Sequence, residues 1–184
     1  PDAEPVNARD RATLDSWIRK GGIVARFAGP SLAASADDNF TPVPRRRGGR
    51  TLGGALLWSE PARLAAFAEG SPFFGIHVPK EVSVSRQVLA QPSVDLAEKT
   101  WARLTDGTPL VTAEKRGEGW LVLFHTTAST AWSNLPLSGL FVEMLRRIVW
   151  LSRRVDVAGE ARRPLPPFQQ LDGYGRLVPP SPSV

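Results

Sequence analysis

Two imidazoles and no thiol set the limits of the chemistry this chain can carry. Its 184 residues include only His77 and His125 as histidines and contain no cysteine. That removes thiolate nucleophiles, disulfides, zinc–thiolate sites and iron–sulfur clusters together. First-row metal sites and histidine-based triads have little left to build with, so the sequence assigns no catalytic residue, no metal and no cofactor. The one dense group of reactive types is His125-Thr126-Thr127-Ala128-Ser129, followed by Trp132-Ser133-Asn134. His125 ends the apolar run from Trp120 to Phe124, which places an imidazole and several hydroxyls at the carboxyl edge of a sheet, where open α/β folds bind ligands. Two readings stay open. In one, His125 is a general base or anchoring donor beside Thr126, with Trp132, Ser133 and Asn134 shaping a pocket. In the other, His125 is hydrogen-bonded to the loop that caps its strand, the commoner role for an isolated imidazole.

Other chemistries fail on spacing. His77, in Gly75-Ile76-His77-Val78-Pro79, has no second ligand nearby in the text and reads as structural. No Gly-x-Ser-x-Gly elbow occurs; Ser138-Gly139 and Gly29-Pro30-Ser31 lack the flanking glycines. The Gly48–Gly54 run lacks the lysine of a phosphate-cradling loop and precedes a strand, not a helix. Asp37-Asp38 reads as a polar turn, not the carboxylate pair of glycoside chemistry. Of six tryptophans, Trp17, Trp101, Trp120 and Trp150 fall on apolar faces and read as core, whereas Trp58 and Trp132 lie at element ends where a ring can meet a ligand.

The elements that must position these residues are legible in the hydrophobic pattern. Leu14, Trp17 and Ile18 recur at helical spacing between Asn7, a ready N-cap, and the stop Gly21-Gly22. Ile23–Phe27 follows as a short buried strand, closing an αβ unit whose preceding strand is missing. Residues 31–54 read as loop, 50–58 as a strand weakened by Gly53-Gly54, and 61–67 as one short helix at best. Alternation from Val82 to Leu89 predicts a strand with one wetter face. Three runs, 101–104, 110–113 and 120–124, separated by Asp106-Gly107 and Arg116-Gly117-Glu118-Gly119, predict an antiparallel meander. Residues 137–152 carry a 3.6-residue apolar pattern and predict a helix packed on that sheet, with Arg146, Arg147, Arg153 and Arg154 toward its carboxyl end. The expected organisation is an α/β domain over residues 1–154, a mixed sheet with a meander flanked by helices, and a proline-rich extended linker over 155–184. No fixed-period repeat is present.

The net charge is +5, and all 23 basic side chains except Lys20, Lys80, Lys99 and Lys115 are arginine. They are mostly dispersed. The cluster Arg45-Arg46-Arg47 with Arg50 has no aromatic platform beside it, Phe40 standing alone, so no nucleic-acid partner is expected. No apolar run reaches the roughly 20 residues of a bilayer span. A start at Pro1, with Met144 the only methionine, suggests a processed product or, the favoured reading, a piece of a longer protein, which leaves room for a membrane anchor outside it.

One stretch resembles a known family: Trp120-Leu-Val-Leu-Phe-His-Thr-Thr-Ala128 with Trp132-Ser-Asn-Leu-Pro-Leu-Ser-Gly-Leu-Phe-Val-Glu-Met-Leu145. It is similar to large bacterial inner-membrane proteins that open with a double-transmembrane segment of the aerotolerance-regulator (Bat) type. The runs 14–30, 106–110 and 171–177 add to the likeness, which covers most of residues 7–178. The resemblance implies the later part of a middle region that looks like a class I glutamine amidotransferase. Those enzymes use a Cys nucleophile with a His-x-Glu pair; here Cys is absent and Thr127 stands where the acid would be, so no catalytic residue is carried over. What it implies is a non-catalytic scaffold or protein-interaction domain facing the periplasm, membrane-held through spans outside this piece and working with protein partners of an envelope stress system. The competing expectations are a hydrolase or amidotransferase relative using His125 with Thr126 or Ser133, and a small-molecule module lined by Trp132 and Asn134.

Overall fold

The sheet grows outward from its most apolar strand. The computed structural model describes residues 6–35, 40–51, 61–156, 170–171 and 176–178. Helix α1 (Ala8–Arg19) starts where the Asn7 side chain accepts from the Asp10 N–H, and the chain turns through Gly21 at φ 107° into β1 (Ile23–Phe27). After the short α2 (Pro30–Ala34) come β2 (Arg45–Thr51), β3 (Ala62–Arg63), β4 (Ser83–Val84) and β5 (Arg86–Ala90). The meander is β6 (Thr100–Arg103), β7 (Pro109–Arg116) and β8 (Gly119–Phe124). A 3₁₀ turn at Leu135–Leu137 leads into α3 (Gly139–Asp156), and β9 (Gln170–Leu171) pairs antiparallel with β10 (Leu177–Val178).

The main sheet has the order β1-β8-β7-β6; β1 runs parallel to β8 and the other pairs are antiparallel. The expected mixed α/β architecture with a central meander is therefore present. Because side chains alternate along a strand, β8 feeds both faces. Val122 and Phe124 join Trp101, Leu110, Leu140, Met144 and Ile148 in the larger core under α3. Leu121 joins Ile18 and Phe40 under α1, and Leu123 joins Leu32, Val88 and Trp132. Phe124 stacks on Phe27 at 4.8 Å between centroids, and Phe141 of α3 meets both rings edge-on at 6.0 Å, fixing that helix to the sheet.

Several expectations need correcting. Residues 45–51, of which 45–49 are read as loop alone and 50–51 also as the start of a strand, form β2, antiparallel to β5 with a register shift between Arg45 and Gly49. A tertiary partner overrides the poor strand propensity of Gly and Arg here. Residues 61–67 hold the short strand β3 paired with β4, not a helix. The strand expected over 82–89 is split at Ser85, its halves pairing with β3 and with β2. Gln87, placed by alternation on the wetter face, is fully buried because β2 and the main sheet enclose it. Trp17 and Trp150, read as core, are 51% and 69% exposed. The helix expected over 137–152 is shifted to 139–156 behind the 3₁₀ turn. The Asp37-Asp38 turn, Trp58, the strand expected over 50–58 beyond Thr51, and most of the 155–184 linker lie outside the described residues.

Candidate functional site

His125 follows β8 directly, and its backbone sets the geometry of the group. Its N–H donates to the Leu110 carbonyl at 2.8 Å, while its own carbonyl accepts from the Val88 N–H at 2.8 Å. The ring then turns back onto the same residue: Nδ1 lies 2.8 Å from the Val88 carbonyl and Nε2 lies 2.9 Å from Thr112 Oγ1 of β7. A carbonyl can only accept, so the neutral ring carries its proton on Nδ1, and Nε2 accepts from the Thr112 hydroxyl. His125 is wholly buried, and burial pushes its pKa down to about 4; the Val88 carbonyl works against that shift and the nearby Arg45 charge adds to it. A ring so placed has no lone pair and no N–H left for a substrate.

The other four candidates grip the same segment. Thr126 Oγ1 donates to the Arg86 carbonyl at 3.0 Å. The Trp132 carbonyl accepts from the N–H groups of Ser85 and Arg86, and its ring is buried against Leu32, Val88 and Leu123 instead of facing a ligand. Ser133 Oγ donates to the Ser83 carbonyl at 2.9 Å and accepts from the Leu135 N–H. Asn134 accepts from the Ser83 N–H at 2.8 Å and donates to the Glu81 carbonyl at 2.7 Å. The structure thus brings all five together, but as a clasp: residues 125–134 hold the backbone of 81–88 against the carboxyl end of β8. With β5 lying over it, the sheet edge that the sequence placed in the open is filled.

Sequence reasoning missed the rest of the cluster. Thr112 and Gln87 are fully buried, and Arg45, expected in a solvated loop, is buried with its guanidinium donating to the Leu32 carbonyl. Gln87 donates to Thr108 Oγ1 at 3.1 Å, while its side-chain oxygen has no hydrogen-bond partner among the described residues. Arg26, inside the apolar β1, is also buried; it donates to the Phe40 carbonyl, and the guanidinium carbons of Arg26 and Arg116 lie 5.7 and 5.5 Å from the Phe40 ring. A polar residue interrupting an apolar run, as at Arg26 and Thr112, was the available signal. His77 is exposed. Among the described residues no group of three or more metal-ligating side chains converges.

Concave surface lies along a flank of α3, as well as beside α1 at Trp17 and around Arg63, Lys80 and Glu81. A groove of about 380 Å³ is lined by Glu143, Arg146, Arg147 and Trp150. A second, of about 320 Å³, shares Arg147 and Trp150 and is closed by the turn at 69–74.

No protein-family model matches the chain, and no curated protein is similar to it. The fold itself recurs. The cytoplasmic protein STM3548 of Salmonella typhimurium superposes with a TM-score of 0.59 at 12% identity, over 79% of this chain and 61% of that one. The cytoplasmic protein STM1381 of Salmonella typhimurium LT2 gives 0.52 at 12% identity, over 81% and 60%. The chain thus spans about three fifths of the length of these neighbours. Both carry the description cytoplasmic, and no helix among the described residues is long and apolar enough to cross a membrane. These findings run against a periplasmic domain of an inner-membrane protein, and that placement, which rested on spans outside the chain, is withdrawn.

Proposed function

We propose that this chain is a non-catalytic protein-interaction domain. Its frame is that of a class I glutamine amidotransferase, as in the middle region of the proteins that carry the Bat-type segment. What supports the frame is the likeness of the residue runs together with an αβ unit whose strand pairs parallel with β8. The observation that carries the role is the clasp: His125, Thr126, Trp132, Ser133 and Asn134 are all engaged by the backbone of 81–88. Groups spent on holding a fold together cannot also bind and turn over a substrate. The test is turnover by the purified chain. Ammonia release from glutamine and cleavage of an activated ester should both stay at the buffer rate. Turnover that disappears in His125→Asn, in a variant whose thermal unfolding remains cooperative, would refute the proposal.

A further inference from the structure

The main sheet closes one of its edges and leaves the other open. Along β6, the Ala65 N–H donates to the Arg103 carbonyl at 3.0 Å, Ser71 Oγ donates to the Trp101 carbonyl at 2.7 Å, and Leu64 bridges to Leu104. Along β1 no such cover exists among the described residues. The Ala28 N–H donates to the Phe124 carbonyl and the Gly22 carbonyl accepts from the Trp120 N–H. By the alternation of a parallel ladder, Gly22, Val24, Arg26 and Ala28 therefore turn their backbone groups toward β8. Those of Ile23, Ala25 and Phe27 point outward, and none has a hydrogen-bond partner among the described residues. The strand also lacks the devices that blunt an edge: its register is unbroken, it has no proline, and its one charge, Arg26, is buried on the Phe40 carbonyl.

Both helix layers reach past this edge. On α1, Asp15 pairs with Arg116 of β7, and Trp17 lies about 200° further round the helix, on the β1 side. Its ring rests against Gly22 and is half exposed. On α3, Arg147 lies by the 69–74 turn at β6, whereas Phe141 meets Phe27 of β1. Next round that helix, past Phe141 and Leu145, come Val149 and Val142, both half exposed. A segment laid along β1 would be paired through its backbone and covered by apolar side chains on both faces, as interior parallel strands are. Only an extended polypeptide meets both demands, because a lipid chain or small apolar ligand would bury the N–H and C=O groups of β1 unpaired. A second copy pairing about a two-fold axis would bring its own Trp17, Val142 and Val149 to flanks that already carry one set. The two fold neighbours are matched over 61% and 60% of their own lengths, so this fold occurs with further chain beside it. Going beyond the interaction-domain reading, we infer that the open edge of β1 takes up a fifth strand, an uncharged apolar segment of polypeptide from outside these 184 residues. It would lie between the Trp17 flank of α1 and the Val142 and Val149 flank of α3.

The experiment uses the full 184-residue chain and a labelled Val-Ile-Val-Ala-Val peptide on a Gly-Ser tail, with a control peptide whose central valine is replaced by proline. In the chain alone, residue-resolved hydrogen exchange should be about tenfold or more faster at the amides of Ile23, Ala25 and Phe27 than at those of Val24 and Arg26. The valine peptide should bind in fluorescence anisotropy and slow exchange at Ile23, Ala25 and Phe27, and the proline control should not bind. Ala25→Pro removes an outward N–H and spares the ladder to β8, so it should raise the Kd about tenfold or more, as should Val149→Asp. Trp150→Asp, on the other flank of α3, should leave the Kd unchanged. Melting curves establish that each variant is folded, and Val149→Asp carries the test if Ala25→Pro is not. Equal protection along β1 in the free monomer, no binding of the valine peptide, equal binding of the proline control, or unchanged binding by Val149→Asp would each overturn the fifth strand. So would a dimer in sedimentation whose formation alone protects the amides of Ile23, Ala25 and Phe27, since the occupant would then be a second copy.

Discussion

Lowering the pH from 8 to 5 should destabilise this protein by about 2 kcal/mol through His125 alone. In the folded chain the ring is wholly buried, gives its Nδ1 proton to the Val88 carbonyl, accepts at Nε2, and has a pKa of about 4. In the unfolded chain the ordinary value is about 6.5. As the pH falls, the unfolded state therefore takes up a proton first. Stability is held in full above about pH 6.5 and is lost down to about pH 4, where the folded form also titrates. Each pH unit across that window is worth about 1.4 kcal/mol, about 3 in total and about 2 by pH 5. The two carboxylates whose values are clearly lowered do not confuse the reading. Asp95 is held at about 2, chiefly by its hydrogen bond from Lys99, and Asp15 is lowered chiefly by Arg19, so both stay charged throughout. The assay is urea unfolding of the parent and of His125→Asn, which keeps a donor near Nδ1 but cannot titrate. The variant starts less stable at pH 8, having lost the Thr112 bond, yet its stability should be nearly flat down to pH 5. Parallel pH profiles for the two chains, within about 0.5 kcal/mol, would refute the reasoning.

The remaining predictions separate backbone from side-chain constraints. A Cβ on Gly119 would lie 2.1 Å from the Gly22 carbonyl oxygen and 2.2 Å from that of Ile18, so Gly119→Ala should cost more than about 3 kcal/mol in urea unfolding. Gly22→Ala meets the ring of half-exposed Trp17 at 2.3 Å, which can swing aside, and should cost about 1 kcal/mol; equal losses for the two would contradict this account. Asn134→Ala removes the bonds to the Ser83 N–H and the Glu81 carbonyl and should cost about 1–2 kcal/mol, with hydrogen exchange rising first in residues 81–86. Trp101→Ala, emptying the larger core, should cost about 3–5 kcal/mol, whereas Trp150→Ala should change the melt by less than about 0.5 kcal/mol.

Local signals located what local physics controls. The Asn7 cap, the glycine stop after α1, the parallel-ready run Ile23–Phe27 and the meander with its Gly107 and Gly117 turns are written in residue order, because caps, turns and two-residue periodicity act over a few neighbours. The amphipathic stripe of α3 was readable too, though not its second apolar face: periodicity marks which side chains are apolar, not which of them find a partner. Strand β2 was hidden because Arg and Gly have no strand preference of their own and are held there by β5, which lies about forty residues away in the chain. The same holds for the candidate site. Composition alone removed thiol chemistry and drew attention to residues 125–134. Only the tertiary structure decided that this group faces inward, because burial depends on which distant backbone lies over it, and residues 81–88 supply the carbonyls and N–H groups that consume its hydrogen bonds.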